Sequence, residues 1–310
     1  MTGTTTKRDP RRGLLISTAT ATLFAIAGQF FLGFEQSALQ LGVALLAGYA
    51  AAFTFESIDA AVMGTSPRWA GRGLGGVAQF LLSAHMTAVT TSFLLFVNNR
   101  LWVLVFAVAA AIGSKHVFRY RDGARLRHFM NPSNFGIAIT LVLFPWTTVI
   151  PYEFTEVFHG WASPGRVILP MAILVLGTRL NARYTQRLPL IGTWFLAFAA
   201  QALIRGVLTD APLFSALAPM TGVAFVLFSM YMITDPMTSP SSTRAQIYFG
   251  LSLAAVYTVL IALHVVYTLF FAVTLVCVVR GLYRATLASQ VQIFERIQQW
   301  RLATGVRSIR

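Results

Sequence analysis

Two polar segments interrupt an otherwise apolar chain of 310 residues, and they carry the residue types best suited to binding a ligand. The first is Asn131-Pro132-Ser133-Asn134. Asparagine caps free backbone N–H groups and proline suits the first helical position, so a helix is predicted to start there. Asn131 and Asn134 are three residues apart, so both carboxamides can approach one spot near the positive end of that helix. Such a spot suits a ligand that has mixed donors and acceptors or becomes anionic.

The second segment, residues 234–243, contains an acid, two prolines and several hydroxyl residues between two apolar stretches. Its first residues are Thr234, Asp235 and Pro236, with Thr238 and Pro240 shortly after. Prolines and an acid at a membrane boundary favour a shaped cavity rim over a plain turn. Taken singly, either segment could also be an ordinary helix cap.

Composition explains what surrounds these segments. Hydrophobic residues make up 56% of the chain and charged residues 11%, whereas a soluble domain carries about a quarter charged residues. Apolar stretches near the length of about 20 residues that crosses a bilayer recur from end to end. The sequence therefore predicts an all-α polytopic integral membrane protein with about ten transmembrane helices, interrupted at Asn131-Pro132 and Asp235-Pro236. The predicted spans are 14–33, 38–55, 74–97, 101–118, 133–150, 167–180, 188–207, 215–233, 247–263 and 265–279, the last two divided at His264.

The positive charges predict the orientation of those spans. The net charge is +14, but the arginines lie between apolar segments rather than along one exposed face, which disfavours a nucleic-acid partner. With a cytoplasmic N-terminus, all of the 24 basic residues except Arg100, Arg166 and Arg205 fall inside. This bias predicts a multi-pass protein of the cell inner membrane with both termini in the cytoplasm.

Three regions are predicted along the chain, and no strong internal repeat is visible. Residues 1–13 form a cytoplasmic tail, 14–284 the transmembrane domain, and 285–310 a cytoplasmic amphipathic tail. Apolar residues recur every three positions in the last region, as in a helix on a membrane surface: Val291, Phe294, Ile297 and Trp300. That helix is interpreted as an interfacial anchor, with docking of a partner as the alternative.

Other polar residues in the apolar stretches have structural explanations. His85 could be a proton relay or haem ligand, but a hydrogen-bonded interior histidine is the favoured interpretation. Glu56 and Asp59 lie at the cytoplasmic end of the second span, where pairing with Arg68 or Arg72 accounts for them.

Together and in this order, the two segments resemble the RnfD/NqrB family of membrane electron-transfer subunits. The resemblance is carried by Asn131-Pro132-Ser133-Asn134-Phe135-Gly136, Phe144-Pro145-Trp146, Met232-Ile233-Thr234-Asp235-Pro236-Met237-Thr238-Ser239-Pro240 and Tyr248-Phe249-Gly250. The ten-span layout also matches, so it covers nearly the whole chain. Within the family, residues 131–136 and 144–156 look most like the branch named for enediyne biosynthesis, the UnbU-type proteins.

The resemblance implies flavin-mediated electron transfer within the membrane, as a subunit with redox partner subunits rather than as an independent enzyme. Family members pass electrons while sodium ions or protons cross the bilayer. They can hold a covalent FMN on a Ser-Gly-Ala-Thr motif, and a non-covalent flavin near the cytoplasmic side. That motif is absent here, so we expect a non-covalent flavin, riboflavin or FMN, and no covalent FMN. The single cysteine, Cys277, lies in an apolar span and suggests no metal site.

A flavin ring needs apolar walls and amide partners for its pyrimidine edge, which Phe129, Phe135, Asn131 and Asn134 could supply. The positive helix end would favour the reduced, anionic flavin. Asp235 either positions the ring or ribityl chain or lines a cation path. The predicted cofactor-binding residues are Asn131, Asn134, Phe135, Thr234, Asp235 and Thr238.

Interrupted helices also build the midplane sites of transporters. The alternative function is therefore a small-molecule or ion transporter without redox chemistry, followed by a structural scaffold in a membrane complex. An absorbance spectrum of the purified protein distinguishes a flavoprotein from a colourless transporter.

Overall fold

The computed structural model describes residues 10–30, 37–123, 125–149, 165–209 and 212–304. Within these ranges the chain is a helical bundle with two small antiparallel sheets, β1 with β4 and β2 with β3. The helices are α1 (Pro10–Phe30), α2 (Ala38–Met63), α3 (Leu74–Leu94), α4 (Leu101–Val117), α5 (Pro132–Leu143), α6 (Gly165–Leu180), α7 (Leu188–Thr209), α8 (Leu213–Leu217), α9 (Val223–Leu227), α10 (Thr243–Ala262) and α11 (Thr268–Thr304). The strands are β1 (Leu95–Phe96), β2 (Arg119–Asp122), β3 (Arg125–His128) and β4 (Thr148–Val149). Single turns of π-helix follow α6 (Asn181–Thr185) and α9 (Phe228–Met232), and a 3₁₀ turn precedes α9 (Ala218–Thr221).

The described helices are those of a multi-pass membrane protein. Six are long and apolar enough to cross a bilayer, and a seventh crossing is formed if the pair Phe214–Met220 and Phe225–Met232, bent by 57°, counts as one span. Large apolar side chains cover their outer surfaces, among them Leu46, Leu196 and Val207 at 71%, 75% and 82% exposure. Such exposure is stable against lipid rather than water.

The fifth predicted span is helical over only part of its length. Residues 133–150 are predicted to cross the membrane, but α5 has 12 residues and is therefore about 18 Å long, less than the hydrocarbon thickness of about 30 Å. It ends because Pro145 lacks an N–H group and disfavours helical geometry at Phe144. The chain then continues to β4, which pairs with β1 at the end of α3.

The predicted division of the long apolar run is found at His264. Both His264 and Tyr267 adopt left-handed backbone angles, with φ of 56° and 58°, and non-glycine residues there are uncommon outside turns. The helix that follows, α11, runs without a break to Thr304. The helix predicted for the C-terminal tail is therefore a continuation of the last apolar helix.

Contacts gather the basic loops at one end of the bundle. Arg119 binds both carboxylate oxygens of Asp59, at 2.6 and 2.8 Å, and Arg187 donates to the Ser239 hydroxyl at 2.8 Å. We call this the arginine-rich end; it comprises the C-terminal ends of α2 and α4, the β2–β3 hairpin, the turn 181–187, the loop 233–242 and the level of Arg280 in α11. Its assignment to the cytoplasm stays a prediction.

The opposite end carries the loops predicted to lie outside. Tyr267 donates a hydrogen bond of 2.6 Å to the Thr148 hydroxyl, and the Arg100 guanidinium lies 5.0 Å from the centre of the Trp146 ring. Aromatic rings cluster beside them, as at a membrane interface: Trp102, Phe106, Phe144 and Trp146.

Two groups of helices pack in the same order. The pairs α1–α3, α2–α3, α2–α4 and α4–α5 of the first group correspond to α6–α9, α7–α8, α7–α10 and α10–α11 of the second. Gly13, near the start of α1, lies against Tyr184, just beyond the end of α6, so these two helices run in opposite directions. The two groups therefore share an order of packing, and their first helices run in opposite directions.

Close helix contacts in both groups depend on glycine. A Cβ atom on Gly136 of α5 would collide with the Ala107 carbonyl oxygen and lie 2.6 Å from the Ala111 Cβ, both in α4. In the second group, a Cβ on Gly250 of α10 would lie 3.1 Å from Thr193 of α7. Small residues let membrane helices approach closely enough for extensive van der Waals contact.

Candidate functional site at the junction of the two interrupted helices

Asn131 begins α5 as the sequence predicts. Its Oδ1 accepts the backbone N–H of Asn134 at 3.1 Å, and Pro132 occupies the first helical position. The Ser133 hydroxyl donates to the same Oδ1 at 3.3 Å. The carbonyl half of the Asn131 amide is therefore committed to capping the helix.

The other half of that amide joins the two polar segments. Asn131 Nδ2 donates to the Met232 carbonyl oxygen at 2.9 Å, across 101 residues of sequence. Met232 ends the π-helical turn Phe228–Met232, and π-helical turns are frequent at functional sites. The two motifs that sequence analysis singled out therefore meet at one buried place.

Asn134 reaches a third element, α11. Its Nδ2 donates to the Phe270 carbonyl oxygen at 2.9 Å and to the Thr274 hydroxyl at 2.8 Å. The residue is 1% exposed, yet its Oδ1 has no hydrogen-bond partner within the described residues. Buried amide oxygens are nearly always paired, so this one is an available acceptor.

The junction lies inward of the arginine-rich end. Phe270 and Thr274 precede Arg280 by ten and six residues on α11, so Asn134 binds about 15 and 9 Å inward from that end. After the β2–β3 hairpin the chain enters the helix bundle, where Phe129 packs directly on Gly281 and Met130 is buried.

Asp235 and the two threonines shape the loop. The carboxylate of Asp235 accepts the Met237 N–H at 3.1 Å and the Thr238 hydroxyl at 2.9 Å. Thr234 donates to the Met230 carbonyl oxygen at 2.7 Å, and both threonines are buried. These three predicted ligands hold the end of the interrupted helix in place through their own side chains.

The rings predicted as cofactor walls pack around a third ring. Phe118 lies between them, with its centre 5.9 Å from that of Phe129 and 5.0 Å from that of Phe135. Phe135 is half-buried, whereas Phe129 is buried. The sequence therefore identifies two members of an aromatic cluster and misses the central one.

Sequence reasoning also missed three polar residues that build the junction from the second helix group. Asn181 donates from Nδ2 to the Met230 carbonyl oxygen at 2.8 Å, so the same π-helical turn is held from both sides. Gln246 donates to the Gln186 carbonyl oxygen at 3.0 Å, and Arg187 binds Ser239. Of the three, Gln246 alone gave a signal in the sequence, as an amide within a long apolar stretch.

His85 is a structural histidine. The Thr22 hydroxyl donates to the Thr18 carbonyl oxygen and therefore accepts from His85 Nε2, at 2.8 Å. Tyr49 then donates its hydroxyl to Nδ1 at 2.6 Å. A neutral imidazole with both nitrogens paired links α1, α2 and α3, in agreement with the favoured interpretation.

Of the two acids in α2, Glu56 forms the predicted ion pair and Asp59 forms a different one. Arg68 binds both oxygens of Glu56, at distances down to 2.6 Å, and this hydrogen bonding raises the pKa of Arg68. Asp59 binds Arg119 and His116 instead of Arg68 or Arg72. The strand that follows α4 brings Arg119 to it, a long-range contact that spacing along the chain does not indicate.

Comparisons with known proteins give no family assignment. No protein-family model matches the chain, and no curated protein matches it. The resemblance to the RnfD/NqrB family therefore rests on the two motifs and their order and remains a prediction.

Proposed function

We propose that this protein is a membrane-embedded electron-transfer subunit of, or related to, an Rnf/Nqr-type redox system, and that it holds a non-covalent flavin at the junction of α5 and residues 232–238. The observation that carries the proposal is the contact between the two motifs, Asn131 on Met232, beside the unpaired Oδ1 of Asn134. When bound, a flavin supplies the capacity to accept and release electrons.

The junction suits the pyrimidine edge of a flavin ring. The ring N3–H is a donor, and Asn134 Oδ1 is a buried acceptor that otherwise remains unsatisfied at a cost of about 1–3 kcal/mol. The half-buried ring of Phe135, adjacent in sequence, offers an apolar surface. Asn131, Thr234 and Thr238 act by positioning, since their polar atoms already bind protein groups.

The proposed topology retains ten crossing segments. It counts α4, α5 with its extended continuation, α6 and the bent pair α8–α9 together with the six longer helices. Both termini then lie in the cytoplasm of a cell inner membrane, with the arginine-rich end on the same side. Redox partner subunits would dock on that side, and no nucleic acid is involved.

Reporter fusions test this topology. A reporter that is active only in the cytoplasm should be active when fused at Thr2 and at Arg310, because the positive-inside bias places both termini there. A fusion in the segment 150–164 should be inactive. Activity at only one of the two termini would exclude an even number of crossings.

Denaturation tests the mode of flavin attachment. Since the chain has no Ser-Gly-Ala-Thr sequence, its flavin should pass into the supernatant when the purified protein is unfolded and precipitated with acid. The measurement is fluorescence of the supernatant and of the protein band on a denaturing gel. A fluorescent band would reveal a covalent site and contradict the prediction.

Transport is the second candidate function. It is favoured by the shared packing order of the two helix groups, whose first helices run in opposite directions. A helix start and a π-helical turn also meet inside the bundle, and secondary transporters form midplane sites from such elements. The absorbance spectrum of the detergent-purified protein separates the two. Flavin bands near stoichiometric amounts support electron transfer, whereas a colourless preparation supports transport.

A further inference from the structure

Two guanidinium groups flank the loop that follows the interrupted helix. Arg187 is 6% exposed and donates from Nε to the Ser239 hydroxyl at 2.8 Å and from Nη1 to the Thr185 carbonyl oxygen at 2.9 Å. Arg280 approaches from α11 and donates to the Thr238 carbonyl oxygen. All of these acceptors are neutral, so the loop satisfies hydrogen bonds without neutralising either charge.

Carboxylates near these arginines are scarce. The ion pairs of the described residues use Glu56, Asp59 and Asp122, and none involves Arg187 or Arg280. Asp235 is close enough to favour the charged form of Arg187, but its oxygens are engaged by Met237 and Thr238. The site therefore carries more positive than negative charge.

Electrostatic repulsion between the two arginines reflects this excess. Burial lowers the pKa of Arg187, and the nearby Arg280 guanidinium lowers it further, whereas the charge of Arg127 is paired with Asp122. His128 adds no charge at neutral pH, because burial lowers its pKa to about 4. Buried cations that outnumber the nearby carboxylates are stabilised by a bound anion, and arginine pairs well with phosphate oxygens.

The distance along α11 between Arg280 and the residues that Asn134 binds indicates which anion fits the site. Arg280 lies six to ten residues beyond the α11 positions that Asn134 holds, or about 9–15 Å along the helix. A flavin with its pyrimidine edge on Asn134 and its ribityl chain extended toward the arginine-rich end brings a terminal phosphate to that level.

We propose that Arg187 and Arg280 bind the phosphate of FMN, so that the protein selects FMN over riboflavin. The inference rests on the proposed function, because it assumes a flavin at Asn134. FMN and the headgroup of an anionic lipid both carry a phosphate anion, so the experiment must distinguish these two sources.

Flavin titration of the full-length, detergent-purified protein tests this inference. Protein freed of its flavin is titrated with FMN and with riboflavin, and the flavin extracted from untreated protein is identified by chromatography. We expect FMN in the extract and tighter binding of FMN than of riboflavin. Arg187→Gln and Arg280→Gln should each weaken FMN binding roughly ten- to 100-fold and leave riboflavin binding unchanged.

Matched controls separate binding from folding. Arg183→Gln removes one charge from an exposed side chain of the same turn and should leave FMN affinity unchanged. Unchanged riboflavin binding shows that each variant is folded. Equal loss of both flavins, or riboflavin in the extract, would overturn this inference alone, whereas a protein that binds neither flavin overturns the proposed function as well. Loss of co-purified phosphatidylglycerol in both variants, with FMN affinity intact, would assign the arginines to a lipid headgroup.

Discussion

Leucine at Asn134 is expected to lower flavin affinity roughly five- to 150-fold, because an unpaired group in the complex costs about 1–3 kcal/mol and each 1.4 kcal/mol is about tenfold. The substitution keeps the bulk of the side chain while removing an amide oxygen that is buried and lacks a partner within the described residues, as that of Gln201 in α7 also does. The measurement is flavin bound per mole of folded protein at limiting flavin concentration.

Three further variants define the site around Asn134. Asp235→Asn should also lower flavin content, whereas His85→Leu should not, because His85 only links α1, α2 and α3. Asn131→Asp keeps the acceptor that caps α5 but removes the donor to Met232, so it tests the positioning contact separately from the cap. Wild-type occupancy in both Asn134→Leu and Asp235→Asn would dismiss the pocket and leave the motifs as helix caps or as the rim of a transport path.

Alanine at Gly136 is expected to destabilise the protein by about 1–3 kcal/mol through overpacking. The added Cβ would meet the Ala107 carbonyl oxygen and the Ala111 Cβ of α4. Backbone atoms cannot move aside as a flexible side chain can, so α5 must shift away from α4. Because Asn134 is two residues away, flavin content should fall together with the midpoint of thermal unfolding in detergent.

Gly192→Ala is the matched control. Gly192 lies within α7, and a Cβ atom there meets nothing within 4 Å. Since alanine is the better helix former by up to about 1 kcal/mol, this variant should be as stable as the wild type or slightly more so. Equal midpoints for Gly136→Ala and Gly192→Ala would contradict the close contact between α4 and α5.

Four helix starts could be predicted to the residue because the chain marks them locally. The predicted spans beginning at 38, 74, 101 and 188 coincide with the first residues of α2, α3, α4 and α7. Errors arose where apolar composition continues past a backbone break. The helix predicted for 133–150 stops before Pro145, and the one predicted for 215–233 is interrupted between α8 and α9 by a turn containing Pro219.

The site was predictable only where chemistry and spacing are local. The Asn-Pro sequence predicts that Asn131 caps a helix, and in the structure Asn131 is the N-cap of α5. The partners of Asn134 on α11, and the approach of Asn181 to the π-helical turn, depend on which helices pack together. Arg187 and Asn181 belong to no recognisable motif. Their contribution to the site can be identified only from the folded structure, which shows their hydrogen-bond partners.

The length of α11 has a mechanical consequence. Its 37 residues measure about 55 Å, well beyond the apolar thickness of about 30 Å, so its last turns project out of the bilayer as part of one stiff rod. Thr274 and Arg280, which contact Asn134 and the loop after the interrupted helix, lie on the same rod. Because one continuous helix carries both contacts, a tilt or rotation of its projecting turns would be transmitted directly to the buried junction.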